Sequence, residues 1–360
     1  MSTPTNPTTA ETGRLLSYAD AVREAVEQEM DVDPSVFVMG LDVEDHVAIR
    51  GTTRGLVEKF GRDRVFHTPL SEDAMTGVAI GAAMAGMRPI HVHIRMDFLM
   101  LCMNQIVNIA AKAKYMYGGE VNVPMVVRSI IGKSWGQGAQ HSQGLHAMFM
   151  HVPGLKVIAP STSYHAKGCM IAAIRDNNPV IFIDHRMLFG TESYVPEEAY
   201  AFPLGQSRIC QQGDAITIVG VSNMVIECLR AAELLRDVGI DATVIDPVTL
   251  MPLDDAPIIN DVRKTKRLLV VDNAWTACGA SAEITSRVAE VLGPDGVTVR
   301  RMGYAPTTCP TTPALEEHFY PNPATIAETA FAMVKPDAAV WSPDPEAAKL
   351  AYQLDFKGPF

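Results

Sequence analysis

The 360-residue chain has no CxxC pair, no Lys/Arg run, and no apolar stretch near the roughly 18–20 residues that a membrane helix needs. Without paired ligands a structural zinc site cannot form. Cys102, Cys169, Cys210, Cys228, Cys278 and Cys309 therefore read as reduced thiols, several of them in apolar segments. Without a basic run the electrostatic footprint of a nucleic-acid binder is missing. The net charge of −11 fits a chain not drawn to anionic surfaces. The first 13 residues, rich in Ser, Thr and Pro, have no basic start and no apolar core. They read as a disordered arm rather than a signal peptide, and the expected location is the cytoplasm. No repeat of solenoid period is found.

What is present is the material of a folded protein, 48% hydrophobic and 20% charged, in a length that favours two domains. Val- and Ile-rich strand runs alternate with helix-length amphipathic runs. Strands are expected at Val36–Met39, Pro89–Ile94, Met125–Ile130, Lys156–Ala159 and Val180–Asp184. Helices are expected at Thr53–Phe60, Glu72–Met87, Ser163–Arg175 and, as one long element, Asp97–Tyr117. The pattern lapses into Pro, Gly and polar residues over 191–214, which reads as a linker. A second alternating unit follows, with strands at Ala215–Val219, Ala242–Ile245, Arg267–Val271 and Val297–Arg300. Its helices lie near Asn223–Val238 and at Gly279–Leu292. The expected fold is therefore α/β, with two open, mostly parallel sheets covered on both faces. The domains fall at 14–190 and 215–335, and 336–360 reads as an arm lying over the surface or onto a partner.

Four segments could carry chemistry. Glu72 sits at a loop-to-helix junction, after Thr68-Pro69-Leu70-Ser71 and before a face opened by Gly77, Gly81 and Gly86. It reads either as a helix cap or as a carboxylate beside a flat ligand. Asp97-Phe98 follows a strand, at the end of a parallel sheet where ligands bind, and the aromatic could stack on a ring. Gly136-Gln137-Gly138-Ala139-Gln140-His141-Ser142-Gln143 presents a histidine between polar neighbours, suited to proton transfer or anion stabilisation. The turn Ala172 to Pro179 is either a C-cap or an oxygen-lined cation site. Three blander features remain. His91 and His93 share one strand face. Arg95 could bind an anion or pair with an acid. Asp42, Glu44, Asp45 and His46 follow a strand as a polar loop.

Taken in order, these segments resemble the beta subunit of 2-oxo acid dehydrogenase complexes. This is the decarboxylating component of the pyruvate, branched-chain 2-oxo acid and acetoin enzymes, in the transketolase-like superfamily. The resemblance runs from about Arg14 to Val334. It rests on Thr68–Glu72, Gly81–Pro89, Gly138–Gln143, His151–Val157, Ala173–Pro179, Asp246–Asp254 and Gly279–Ile284. It implies a pyrimidine-type domain that binds thiamine diphosphate, followed by a transketolase C-terminal-like domain. By this resemblance Glu72 matches the carboxylate that bonds the pyrimidine ring nitrogen of thiamine diphosphate. Phe98 matches the aromatic packed on that ring, and His141 the active-site histidine near substrate. Ala173, Asp176 and Asn178 match a monovalent-cation site, usually for potassium.

The family's Gly-Asp-Gly run, which holds Mg2+ and the diphosphate, is absent; Gly213-Asp214-Ala215 lacks its second glycine. The resemblance therefore implies an alpha subunit that brings that site, in an alpha-two beta-two heterotetramer. The expected reaction decarboxylates a small 2-oxo acid and passes the acyl group to a lipoyl domain, with a lipoyl acyltransferase core as a further partner. Some positions depart from the family pattern: the strand His91-Val92-His93-Ile94-Arg95-Met96, and Asn104, Met75 and Val248. Arg95 and the altered strand motivate one alternative, and a second of another class stands beside it. One is a carboligase subunit that hands the decarboxylated unit to a carbonyl acceptor. The other is a non-catalytic scaffold chain.

Overall fold

The computed structural model describes residues 13–45, 47, 49–132, 137–293 and 296–352. His46, Gly136, nearly all of the N-terminal arm and the closing residues Phe356–Phe360 lie outside them. The first domain carries a seven-stranded sheet. Its order is Thr249–Met251, Lys156–Ile158, Val180–His185, Val126–Ile131, Arg88–His93, Val36–Gly40 and Val65–His67. All pairings are parallel except that of Thr249–Met251 with Lys156–Ile158. The central strands are buried nearly end to end, as the apolar runs of a parallel sheet covered on both faces require.

Alternation along the strands sorts the two faces. Val36, Val38, Val126 and Phe182 join the helices Tyr18–Val32 and Ser163–Arg175 in one core. Phe37, Met39, Val127, Ile181 and Ile183 face the other way, toward the helix Glu72–Met84 and the segment 96–116. Inside the first core Arg128 pairs with Asp184, both almost fully buried, and also donates to Thr52 at 2.9 Å.

The second domain is a five-stranded sheet in the order Thr298–Tyr304, Arg267–Trp275, Ile216–Gly220, Ala242–Asp246 and Arg208–Gln211. Its last pairing is antiparallel and the rest are parallel. Both domains thus have the expected α/β character. They are also stitched together. Thr249–Met251 leaves the second unit to pair with the first sheet, and Ser161 of the first domain donates to Asp246 of the second.

Two expectations change, and one is narrowed. The 191–214 stretch is not featureless. Glu192–Tyr194 pairs with Leu15–Ser17, and Arg208–Gln211 closes the edge of the second sheet. Strands of three or four residues are too short for a period-two pattern to declare itself. The long helix from Asp97 is instead four pieces: α-helical Met96–Leu99, 3₁₀ Met100–Cys102, π-helical Asn104–Ala110 and α-helical Ala111–Met116. Its inward residues Cys102, Ile106 and Ala110 recur every four positions, wider than an α-turn, and the wider π-turns keep them on the core. Within the tail, Trp341 stacks on Phe331 at 4.9 Å, and the helix Pro345–Tyr352 packs on Met224–Arg236, so this part lies on its own chain. Among the described residues, no helix is long and apolar enough to cross a membrane.

Candidate active site

Glu72 opens the helix Glu72–Met84. The loop before it is tied down where the Thr68 amide donates to the Gly40 carbonyl at 3.0 Å, at the C-terminal end of a central strand. Ser71 makes no side-chain cap. At the far end, Gly86 adopts φ +97°; its amide bonds Ala83 and the Met87 amide bonds Ala82, a Schellman closure that needs glycine. The Glu72 carboxylate has no hydrogen-bond partner among the described residues. It is therefore not a helix cap. It lines a pocket of about 320 Å³ together with Phe98, His141, His93, Arg95 and Asp42.

Phe98 and His141 meet edge to face, ring centroids 5.2 Å apart. Asp97 fixes this contact: its Oδ1 accepts from the Gln143 side chain at 2.7 Å and from the Gln143 amide at 3.3 Å. The Leu145 amide adds a contact to Met96 Sδ. From the other side the second domain presses on the same loop. A Cβ on Gly144 would lie 1.8 Å from the Asn273 carbonyl oxygen, so only glycine fits. Tyr304 Oη reaches the Ser142 carbonyl at 3.5 Å. His146 Nε2 meets Asp272 Oδ1 at 2.9 Å, with both side chains fully buried. His141 is thus held by both domains. Three of the residues singled out in the sequence, Glu72, Phe98 and His141, share this pocket.

Arg95 makes no ion pair among the described residues. It donates to Gln137 at 3.0 Å and to the Ile94 carbonyl at 2.8 Å. Arg186, just beyond the strand Val180–His185, is buried and donates to the His141 carbonyl at 3.0 Å. Burial, then repulsion from Arg50, lowers the Arg95 pKa to about 10; burial, then Arg95 and Arg50, lowers Arg186 to about 9. Both stay cationic at neutral pH. Arg186 escaped the sequence reading, although its place at the C-terminal end of a parallel strand is a usable signal. The role of Asp97 depends on Gln143, which only the fold brings to it.

The pair His91 and His93 is buried, with ring centroids 4.3 Å apart. No metal-ligand cluster of three exists among the described residues. Burial lowers His91 to about 4 and pushes His93 well below its usual range, with His91 adding to the effect. Both are neutral when folded. The unfolded chain takes up these protons below about pH 6.5, so stability is complete above that pH and is lost as pH falls toward 4. His91 alone contributes about 3 kcal/mol to this loss, at ~1.4 kcal/mol per pKa unit. The melting temperature should drop across this window, and less steeply in His91→Gln.

The turn at Ala173, Asp176 and Asn178 lies apart from the pocket. The Asp176 amide caps the helix on the Ala173 carbonyl. Its carboxylate pairs with Lys156 and accepts from the Asn178 amide at 2.9 Å. Arg88 donates to the Ile174 and Asp176 carbonyls at 2.9 and 3.0 Å. Two cationic side chains therefore hold the Asp176 oxygens, and the Ala173 carbonyl accepts the Asp176 amide. As built, the turn does not fit the ion unless Arg88 leaves the Asp176 carbonyl.

Comparison with known proteins agrees with this architecture. The transketolase pyrimidine-binding domain matches residues 15–191 and the transketolase C-terminal domain residues 205–326. The acetoin:2,6-dichlorophenolindophenol oxidoreductase subunit beta of Cupriavidus necator is 43% identical over 328 residues, 88% of this chain and 97% of that protein. The mitochondrial pyruvate dehydrogenase E1 component subunit beta-1 of Arabidopsis thaliana is 42% identical over 279 residues, 76% of this chain and 77% of that protein. A solved split-gene transketolase, an inactive beta4 tetramer, shares the fold with a TM-score of 0.72 at 20% identity, covering 89% of this chain and 98% of that one.

Proposed function

The chain belongs to the 2-oxo acid dehydrogenase beta subunits of the transketolase-like fold, and we propose that it supplies the ring-activating half of a two-chain thiamine diphosphate site. The observation that carries this is the Glu72 carboxylate, without a partner among the described residues, on the wall of a pocket shared with Phe98 and His141. A flat, nitrogen-bearing ring fits that wall: Glu72 would exchange a proton with a ring nitrogen, and Phe98, 36% exposed, would pack on the ring face. When bound, thiamine diphosphate supplies the carbon that lets a 2-oxo acid lose carbon dioxide. His141, kept in place by Asp97, Gln143 and Arg186, would hold or deliver a proton at the substrate oxygen.

An alpha subunit would hold Mg2+ and the diphosphate, for which this sequence has no Gly-Asp-Gly run. The helix that bears Glu72 favours such a partner. Leu70, Val78, Met84 and Met87 are exposed along it, and a Cβ at Gly77 or Gly81 would meet open space. The proposed assembly is an alpha-two beta-two heterotetramer in which the acyl group passes to a lipoyl domain. The deciding assay supplies the reconstituted pair with a 2-oxo acid and either a lipoyl domain or an aldehyde. Transfer to the lipoyl domain is expected; transfer only to the aldehyde would assign a carboligase.

The cation at Ala173, Asp176 and Asn178 belongs to the same proposal, in a form where potassium displaces Arg88. A higher melting temperature in potassium chloride than in choline chloride is then expected. Equal melting would leave the turn to Arg88 and Lys156.

A further inference from the structure

We propose that Arg95, backed by the buried charge of Arg186, forms an anion subsite on the pocket that takes a second negative group, a carboxylate or phosphate, carried by the donor acid or by the acceptor. This rests on the function proposed above and names the class of its substrate. Arg95 lines the pocket with Glu72 and His141, and its Nη2 has no partner among the described residues. Arg186 is 1% exposed, and its Nε and Nη1 are buried without a partner. Its remaining nitrogen, Nη2, holds the His141 carbonyl, so the guanidinium abuts the loop that forms the pocket wall.

The opposing charge within the same region is Asp97 and Asp42. Asp97 spends Oδ1 on Gln143 and lies at no ion-pairing distance from either arginine. A buried guanidinium with unmade hydrogen bonds and no carboxylate is costly. A ligand anion would pair with Arg95 on the pocket wall, while Arg186, buried behind that wall, adds positive charge to the subsite, and guanidinium forks suit carboxylate and phosphate geometry. The reaction itself argues for a second group. A 2-oxo acid's own carboxylate departs as carbon dioxide, so a site that gripped it through the reaction would oppose its release. A second anion persists through the reaction and can be held throughout.

Two measurements test this. On the chain alone, calorimetric binding of glutarate is compared with pentanoate, which matches it in length but carries one charge fewer. Glutarate should bind more tightly, with the preference lost in Arg95→Gln and regained in part in Arg95→Lys. Inorganic phosphate serves as the second arm and separates the two anion chemistries. In the reconstituted pair, the ratio of kcat/KM for 2-oxoglutarate over 2-oxohexanoate, or for glyceraldehyde 3-phosphate over glyceraldehyde as acceptor, should fall about tenfold to a hundredfold in Arg95→Gln or Arg186→Gln. Melting curves check that each variant folds.

Wild-type turnover with ratios unmoved by either variant, and no glutarate or phosphate preference on the chain alone, would overturn the subsite and leave the thiamine reading standing. Absence of all turnover would count against the thiamine reading instead, and the binding comparison on the chain alone would still decide the subsite.

Discussion

Glu72→Gln is expected to lower kcat of the reconstituted two-chain enzyme by about 10²- to 10⁴-fold, the range for losing a positioned proton-transfer group. Stability should change by no more than ~0.5 kcal/mol. The two halves of this result have one cause. The carboxylate has no partner among the described residues, so neutralising it strands none of their donors and breaks no cap. Its shape is kept and only its proton affinity is lost. Steady-state kinetics beside a denaturant titration checks both. Undiminished kcat would instead fit a scaffold chain that kept the fold without the chemistry.

Gly144→Ala should have the largest structural effect. The added methyl carbon would lie 1.8 Å from the Asn273 carbonyl oxygen and 3.3 Å from the Ala274 Cβ. Both neighbours belong to a nine-residue strand of the second sheet, buried over most of its length. A strand held in a sheet yields less readily than a side chain, so the loop 138–145 must move or the domains must separate. The expected cost is about 3 kcal/mol, the upper end for overpacking. Because His141 lies three residues away on the same loop, kcat should fall in parallel. Alanine at Gly190, which like Gly144 needs no left-handed backbone and whose Cβ would meet nothing within 4 Å, is the control for a general glycine effect. A Gly144→Ala enzyme with native melting and native kcat would show that this loop is not clamped between the domains.

Much of this architecture was legible in sequence because it is local. The strands Val36–Gly40, Arg88–His93, Val126–Ile131 and Val180–His185 are apolar runs of strand length, and Ser163–Arg175 has its Thr162 cap and an ordinary helical period. The segments around Glu72, Phe98 and His141 could be named, and the pocket unites them. What escaped is non-local. Nothing in Thr249–Met251 marks a strand that crosses to the other domain's sheet, because its partner lies some ninety residues earlier in the chain. The helix Tyr18–Val32 is local by contrast, with ordinary helix signals in its capping Ser17 and buried face. The break after Leu99 is equally hidden, since a π-turn and an α-turn share nearly the same residue preferences. Arg186 becomes a site residue only when the fold brings it to the carbonyl of His141. At the Asp176 turn, Arg88 and Lys156 arrive from distant strands to occupy oxygens that a local motif leaves open.

The central claim is that this chain holds only the ring end of the cofactor. Titration calorimetry of thiamine diphosphate with Mg2+ tests it most directly, first into the purified chain and then into the chain mixed with its alpha partner. The expected result is no measurable heat of binding with the chain alone and saturable binding with the pair, abolished or weakened by Glu72→Gln. Tight, Mg2+-dependent binding to the isolated chain would contradict it, since the diphosphate would then have ligands within this sequence.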